Sequence, residues 1–289
     1  MNRSTIQRWV IIMLTVMMVV SLGCKKKGEE IVIIPDAQKN HLQKSRLKGN
    51  IKTIQTATYN SSHIDSLDQE HLVKNVIQEY SFDGFLIKVV TLNGLNDTLS
   101  FRDIHYSPEG KQLYWVETNL ETNQAHRCDM VYDMNGFLSK ERFTTQDSLW
   151  YEIDYKTDAI GGVVQMIRHY PEYSTRWLIE YNEHGLTSRM NEFDPRGNLF
   201  KYIIVEYDNY GDEVNRKVYR KDGKMIEYTY TQYDPYGKQL KEIFENYVHE
   251  IKEIKTYPEH DKKGNWLLEI SASERDTVYF RKREINYYK

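Results

Sequence analysis

From residue 72 onward, apolar and polar residues alternate in short runs cut by turn residues. In Lys224–Tyr233, Ile226, Tyr228, Tyr230 and Gln232 fall on one side, against Met225, Glu227, Thr229, Thr231 and Tyr233 on the other. A period of two predicts strands. Leu72–Tyr80 reads as a strand too, because it runs directly into the turn Ser81-Phe82-Asp83-Gly84. The alternation is loose where Phe200, Tyr202 and Ile204 oppose Leu199, Ile203 and Val205, which predicts that some strands cover both faces.

The turns repeat. Asp or Asn, two turn residues and Gly follow an aromatic at Tyr181–Gly185, Phe193–Gly197, Tyr207–Gly211 and Tyr233–Gly237, with a looser copy at Tyr219–Gly223. The main beat falls on Gly84, Gly110, Gly136, Gly161, Gly185, Gly211, Gly237 and Gly264, in steps of 26, 26, 25, 24, 26, 26 and 27 residues. Gly197 and Gly223 mark half-steps, and Asn93–Asp97, Glu121–Asn123, Gln146–Ser148 and Pro171–Ser174 are weaker turn text at the other half-steps. In Asp-Pro-X-Gly the carboxylate accepts backbone N–H groups, Pro presets the first torsion and Gly takes the positive one. That is hairpin chemistry with a Gly bulge.

The expected fold is therefore all-β. It is an antiparallel meander of hairpin repeats, about 26 residues each, making one long twisted or curled sheet of roughly sixteen strands. An outer-membrane barrel is disfavoured, because such strands need an apolar outer face at mid-height. Lys, Arg and Glu recur through the strand centres, as in Val214-Asn215-Arg216-Lys217-Val218.

Composition narrows this picture. The 23 Tyr favour strands, and 28% charged residues fit a globular chain. Net charge is -3; the first 23 residues hold Arg3 and Arg8 and no acid, leaving -5 beyond them. A mildly acidic chain gives no reason to expect a nucleic-acid partner. Trp9–Leu22 is an apolar run behind two arginines, the length of a signal-peptide core.

That run ends in Ser21-Leu22-Gly23-Cys24 and resembles a bacterial lipoprotein signal, although Ser21 and Leu22 depart from the commonest form. The resemblance implies cleavage before Cys24 and acyl chains on it; the alternative is an ordinary signal or an N-terminal anchor helix. Lys25, Lys26 and Lys27 would then face lipid headgroups. The expected organisation is residues 1–23 as lipoprotein signal, 24–45 as flexible tether, with Ile31–Ile34 able to add an edge strand, and 46–289 as β-repeat domain. Cys128 would have no disulfide partner and reads as a small buried residue, the alternative being a reactive thiol.

Tyr132-Asp133-Met134-Asn135-Gly136-Phe137-Leu138 and its copies resemble the Tyr-Asp repeats of rearrangement-hotspot and teneurin-type proteins, over about residues 72–289. Lys263-Gly264-Asn265-Trp266, Arg283–Tyr288 and Arg46–Lys52 resemble bacterial repeat lipoproteins of unassigned function, and Tyr219–Tyr228 is similar to short membrane-occupation-and-recognition repeats. The resemblance implies a β-strand repeat shell. In longer chains such a shell encloses a toxin, for which this chain has no room.

Catalytic constellations are not evident. The nine His are scattered, with no zincin or zinc-ribbon spacing, nucleophile elbow or phosphate loop. No metal or cofactor is expected. His184 and His260 sit in or beside turns, and the turn Asp residues lack EF-hand spacing. Trp115, Trp150 and Trp177 are candidates for stacking on a ligand, or they pack the sheet; Trp266 occupies a Leu position of the repeat and reads as structural. The expectation is a non-enzymatic, lipid-anchored envelope protein, on the outer membrane, presenting a β surface to a protein or polymer. The alternative is a glycan-binding accessory lipoprotein using exposed Trp and Tyr.

Overall fold

The computed structural model describes residues 39–60, 64, 67–146, 148–273 and 278–289. Cys24 and Ile31–Ile34 lie outside the described residues. The first nine strands are β1 (Ile51–Asn60), β2 (Leu72–Tyr80), β3 (Leu86–Asn93), β4 (Thr98–Tyr106), β5 (Gln112–Asn119), β6 (Gln124–Tyr132), β7 (Leu138–Thr145), β8 (Ser148–Thr157) and β9 (Val163–His169). The rest are β10 (Ser174–Tyr181), β11 (Thr187–Phe193), β12 (Leu199–Tyr207), β13 (Glu213–Arg220), β14 (Met225–Tyr233), β15 (Gln239–Asn246), β16 (Ile251–His260), β17 (Trp266–Ser273) and β18 (Val278–Tyr287). A short helix, α1 (His41–Lys44), precedes them, capped by the Asn40 side chain on Gln43 N–H.

The sheet does not stay open. β1 pairs with β2 on one side and with β18 on the other, so that Ile54 lies opposite both Gln78 and Ile285. Every strand is antiparallel to both of its ring neighbours, and the ring of 18 closes into a barrel. This corrects the expected open or curled sheet. Twist carried through so many strands brings the first and last together, and closure pairs the two rows of N–H and C=O groups that an open sheet would expose. The strand count is corrected as well. Eight Gly turns flank sixteen strands, β2 to β17; β1 and β18 lie outside the beat and form the seam where a ninth turn would stand.

One turn shows how the sequence makes these hairpins. Asp194 N–H donates to Asn198 C=O at 2.9 Å, and Gly197 N–H donates to Asp194 C=O at 2.9 Å. Asp194 Oδ1 accepts from Arg196 N–H and Asn198 N–H, both at 2.9 Å, and Gly197 sits at φ 81°. The same pattern recurs from Asp133, Asp158, Asn182, Asp208, Asp234 and Asp261. Ser81 and Ser107 fill the position with a hydroxyl.

Alternate turns fall at opposite ends of the barrel. The turns of Gly84, Gly110, Gly136, Gly161, Gly185, Gly211, Gly237 and Gly264 share one end, which we call the beat end. Those of Gly197 and Gly223 lie at the far end with the weaker turns. The two half-step glycines thus belong to a different rim from the eight glycines of the main beat.

The register gives each face its membership. Ile54, Ile104, Cys128, Ile153, Val205 and Val218 are all buried and share one face around the ring, the inner one. Eighteen strands roughly 4.8 Å apart and tilted by about 40° give a backbone radius on the order of 18 Å, too wide for side chains to fill. Accordingly Met166, Ile179, Met190 and Ile203 on the inner face are only half-buried. Substantial strand contacts join ring neighbours alone. The outer face carries ion pairs along its strands: Lys140–Glu152 at 3.2 Å, Arg142–Glu152 at 2.7 Å, Lys217–Glu206 at 2.7 Å and Lys252–Glu245 at 2.9 Å. A lipid-facing wall would lose roughly 2–4 kcal/mol for each cation at mid-height.

Residues 39–50 form a strap on the beat end. Leu42 packs with Ile51, Ile54 and Tyr80, and Leu47, Leu86, Ile285 and Tyr287 close round them. The strap is also held by polar contacts. Lys48 N–H donates to Asn265 Oδ1 at 2.7 Å, and Asn265 Nδ2 donates to Lys48 C=O at 2.9 Å. Lys48 Nζ donates to Tyr236 C=O at 3.2 Å, and Arg46 lies over the Tyr233 ring at 5.1 Å.

Candidate ligand-binding mouth

At the far end the inner wall of β4 to β9 carries a continuous run of rings. Trp115 meets Phe143 edge-on, with ring centroids 6.0 Å apart. Phe143 stacks on Tyr151 at 4.2 Å, Tyr151 approaches Tyr170 at 5.6 Å, and Tyr170 stacks on Tyr173 at 4.7 Å. Trp150 joins through Tyr151 at 5.1 Å and reaches toward His126 at 6.4 Å. Hairpin register places them: Trp115, Cys128, Phe143 and Tyr151 are successive cross-strand partners. A slip in pairing between Phe143 and Thr144 turns Trp150 and Tyr151 toward the same mouth. The run ends in the open, with Trp150 56% and Tyr173 49% exposed.

Charged groups flank the rings. Arg102 lies 4.4 Å over the Trp115 ring and pairs with Glu117 through Nε at 3.1 Å. Arg168 stands 5.4 Å over Tyr151 and donates to the Tyr170 hydroxyl at 3.2 Å; its buried Nε has no hydrogen-bond partner among the described residues. Burial pushes the Glu141 carboxyl up, against a hydrogen bond from Tyr155 and the pull of Arg168. The Tyr155 hydroxyl is raised as well, first by burial and then by Glu141. Cys128, behind the rings, is fully buried, and burial pushes its thiol up to about 12. His126 Nδ1 is 2.9 Å from Thr145 Oγ1. Arg102 and Glu117 thus form a cross-strand pair, while Arg168, Glu141, Tyr155 and Tyr170 form one polar cluster across β7 to β9.

Trp115 and Trp150 come together here through Phe143 and Tyr151, which sequence reasoning missed. Trp177 does not join them. It lies on the inner face of β10 with Lys201 Nζ 5.6 Å over its ring, and Lys201 pairs with Glu192 at 3.2 Å. Trp266 is covered by Arg283 at 3.4 Å and Tyr257 at 5.6 Å, a structural position; deep burial lowers the Arg283 pKa to about 10. His260 Nε2 lies 2.8 Å from Gln239 C=O and is held in the wall.

No protein-family model and no curated protein matches the chain. Among solved structures it is similar to a porin-like protein from Bacteroides uniformis ATCC 8492, at 11% identity and a TM-score of 0.44, over 82% of this chain and 96% of that one. It is also similar to the TcdB2-TccC3-TEV structure, at 11% identity and a TM-score of 0.35, over 71% of this chain. A third is the Photorhabdus luminescens Tc holotoxin pore, at 11% identity and a TM-score of 0.35, over 76% of this chain. The chain spans 14% of each of those two toxin chains.

Proposed function

We propose that this protein is a non-enzymatic lipoprotein of a bacterial cell envelope, most simply of the outer membrane, whose barrel stands in water on a lipid tether and binds a polymer at its far mouth. The ring run from Trp115 to Tyr173, open at its outer end, is the observation that carries this reading. Exposed ring faces beside fixed polar groups hold a partner that is apolar on its faces and rich in hydroxyls at its edges. That description fits a glycan chain better than a protein surface. Arg102 with Glu117, and Arg168 near Glu141, balance in charge, which favours a neutral sugar over an acidic one.

The test is calorimetric titration of the full acylated chain in detergent with neutral oligosaccharides (cello-, xylo- and manno-oligosaccharides) and with polygalacturonate. Binding of a neutral chain, weakened about tenfold by Trp150→Ala, supports the reading. Binding only of polygalacturonate, or none, removes the neutral glycan. Turnover of any sugar removes the non-enzymatic reading.

A further inference from the structure

The beat end presents a second surface. Its hairpin tips should be polar, since turns at a water surface are built from Asp, Asn, Ser, Gly and Pro. Five of the eight instead point large apolar side chains outward: Phe82 61% exposed, Met134 99%, Ile160 60%, Tyr210 55% and Tyr236 82%. They sit on the turns of Gly84, Gly136, Gly161, Gly211 and Gly237. None is needed for its turn, which the backbone and the Asx or Ser side chain complete alone.

The strap enters at this same end. Asn40 Nδ2 donates to Asp83 C=O at 3.0 Å, and Leu42 N–H to Gly84 C=O at 3.3 Å. Lys39 directly precedes Asn40 in the chain, and Cys24 lies fifteen residues before Lys39 in sequence. Fifteen residues reach at most about 50 Å. Cationic side chains share the rim: Lys44 on the strap, and Lys262 and Lys263 at one of the three tips that lack a large apolar residue.

We propose that this rim docks on the lipid surface, with Phe82, Met134, Ile160, Tyr210 and Tyr236 entering the headgroup boundary and the lysines meeting anionic headgroups. The inference rests on the lipid-anchor reading for the closeness of the bilayer, and adds an orientation: the beat end toward the membrane, the ring-lined mouth away from it. Acyl chains alone hold the barrel near the bilayer without orienting it. The far rim also has exposed apolar tips, Leu95 and Val248 among them, but the strap leaves from the opposite end.

The test places an environment-sensitive dye on Met134→Cys, Tyr236→Cys, Leu95→Cys or Val248→Cys in the full chain, reconstituted in vesicles of phosphatidylethanolamine and phosphatidylglycerol. Spin-labelled lipid serves as quencher, and buried Cys128 should stay unlabelled. At positions 134 and 236 the expected result is a blue shift and about twofold quenching by labels near the headgroup, with neither at 95 or 248, because an interfacial face enters only about 5–10 Å. Equal quenching at both rims, quenching at the far rim only, or none overturns the proposal. The mass of the N-terminal peptide reads lipidation separately. A dye in lipid on a chain without acyl groups keeps the rim and removes the anchor, whereas an acylated chain with a dry rim does the reverse.

Discussion

Tyr207 donates its hydroxyl to the Thr187 carbonyl at 2.8 Å, twenty residues back on the neighbouring strand. The contact recurs as Tyr106 to Leu86, Tyr132 to Gln112, Tyr181 to Val163 and Tyr233 to Glu213. At the seam Tyr288 bonds Tyr80 C=O at 2.6 Å, stitching the last residues to the second strand. The Tyr of the Tyr-Asp text is thus a staple from each hairpin to the one before it, while the Asp or Asn folds the turn. Tyr207→Phe should cost about 1 kcal/mol, the usual net worth of such a bond. Tyr210→Phe, at an exposed tip of the next turn, should leave the denaturation midpoint unmoved. Equal midpoints for the two variants would deny the staple.

Gly197 tests the turn torsion without steric interference. A Cβ built there meets nothing within 4 Å, so its φ of 81° is the whole obstacle. Gly197→Val should cost on the order of 1–3 kcal/mol in chemical denaturation, and Gly197→Asn less, since Asn tolerates the left-handed region. Matching losses for Val and Asn would point to a cause other than torsion.

The turns were legible because their chemistry is local: carboxylate, preset torsion and glycine lie within five residues. The beat of 26 then paired neighbours correctly. Closure was not legible, because a period of two looks the same in an open sheet and a closed one. Whether Ile54 meets Ile285 depends on twist summed over the whole ring. The lumen blurred the pattern further, for an inner wall that is partly wet keeps Arg102, Glu141 and Arg168 where a filled core would want Leu. The ring run was partly within reach: folding the chain at Gln146–Ser148 sets Phe143 opposite Tyr151. Trp177 is a stacking candidate by residue type alone, but register sets it opposite Met166 and Glu192.

The strap should depend on one amide. Asn265 is buried and satisfies both the N–H and the C=O of Lys48. Asn265→Ala strands these groups and should cost about 2–3 kcal/mol. Hydrogen exchange should rise first across residues 40–50, with β5 to β9 unchanged. Uniform exchange across the barrel would mean that the strap and wall open together.

Acid should weaken the outer ion pairs. The hydrogen bond from Arg142, then that from Lys140, holds the Glu152 carboxyl below its ordinary 4.5. A folded pKa below the unfolded one gives stability that is present above pH 4.5 and lost as pH falls through the folded value. Glu152→Gln should therefore be less stable than the parent at neutral pH and equal to it in strong acid. A gap between the two that widens below pH 4.5 would reverse the sign. Glu141 works the other way: burial raises its pKa, so the folded state gains stability as pH falls from that raised value toward 4.5.

The lipid anchor rests on Cys24. Cys24→Ala should abolish acyl labelling and retention of the mature chain in the membrane fraction; unchanged labelling would end the lipoprotein reading and leave an ordinary leader or anchor helix in its place.

Cys128 supplies the last check, on the wall itself. Thiolate is the reactive form of cysteine. Here burial, with Glu141 and Asp129 adding to it, pushes the pKa up to about 12, and the side chain is closed to solvent between Trp115 and Phe143. Alkylation of the native chain at neutral pH should then follow opening of the wall rather than reagent concentration, and should become fast only in denaturant. Cys128→Ser keeps the volume nearly constant but buries a hydroxyl, and should cost about 1–3 kcal/mol. A native rate proportional to reagent and close to that of a free thiol would show β6 open to water, and with it the wall that carries the ring run.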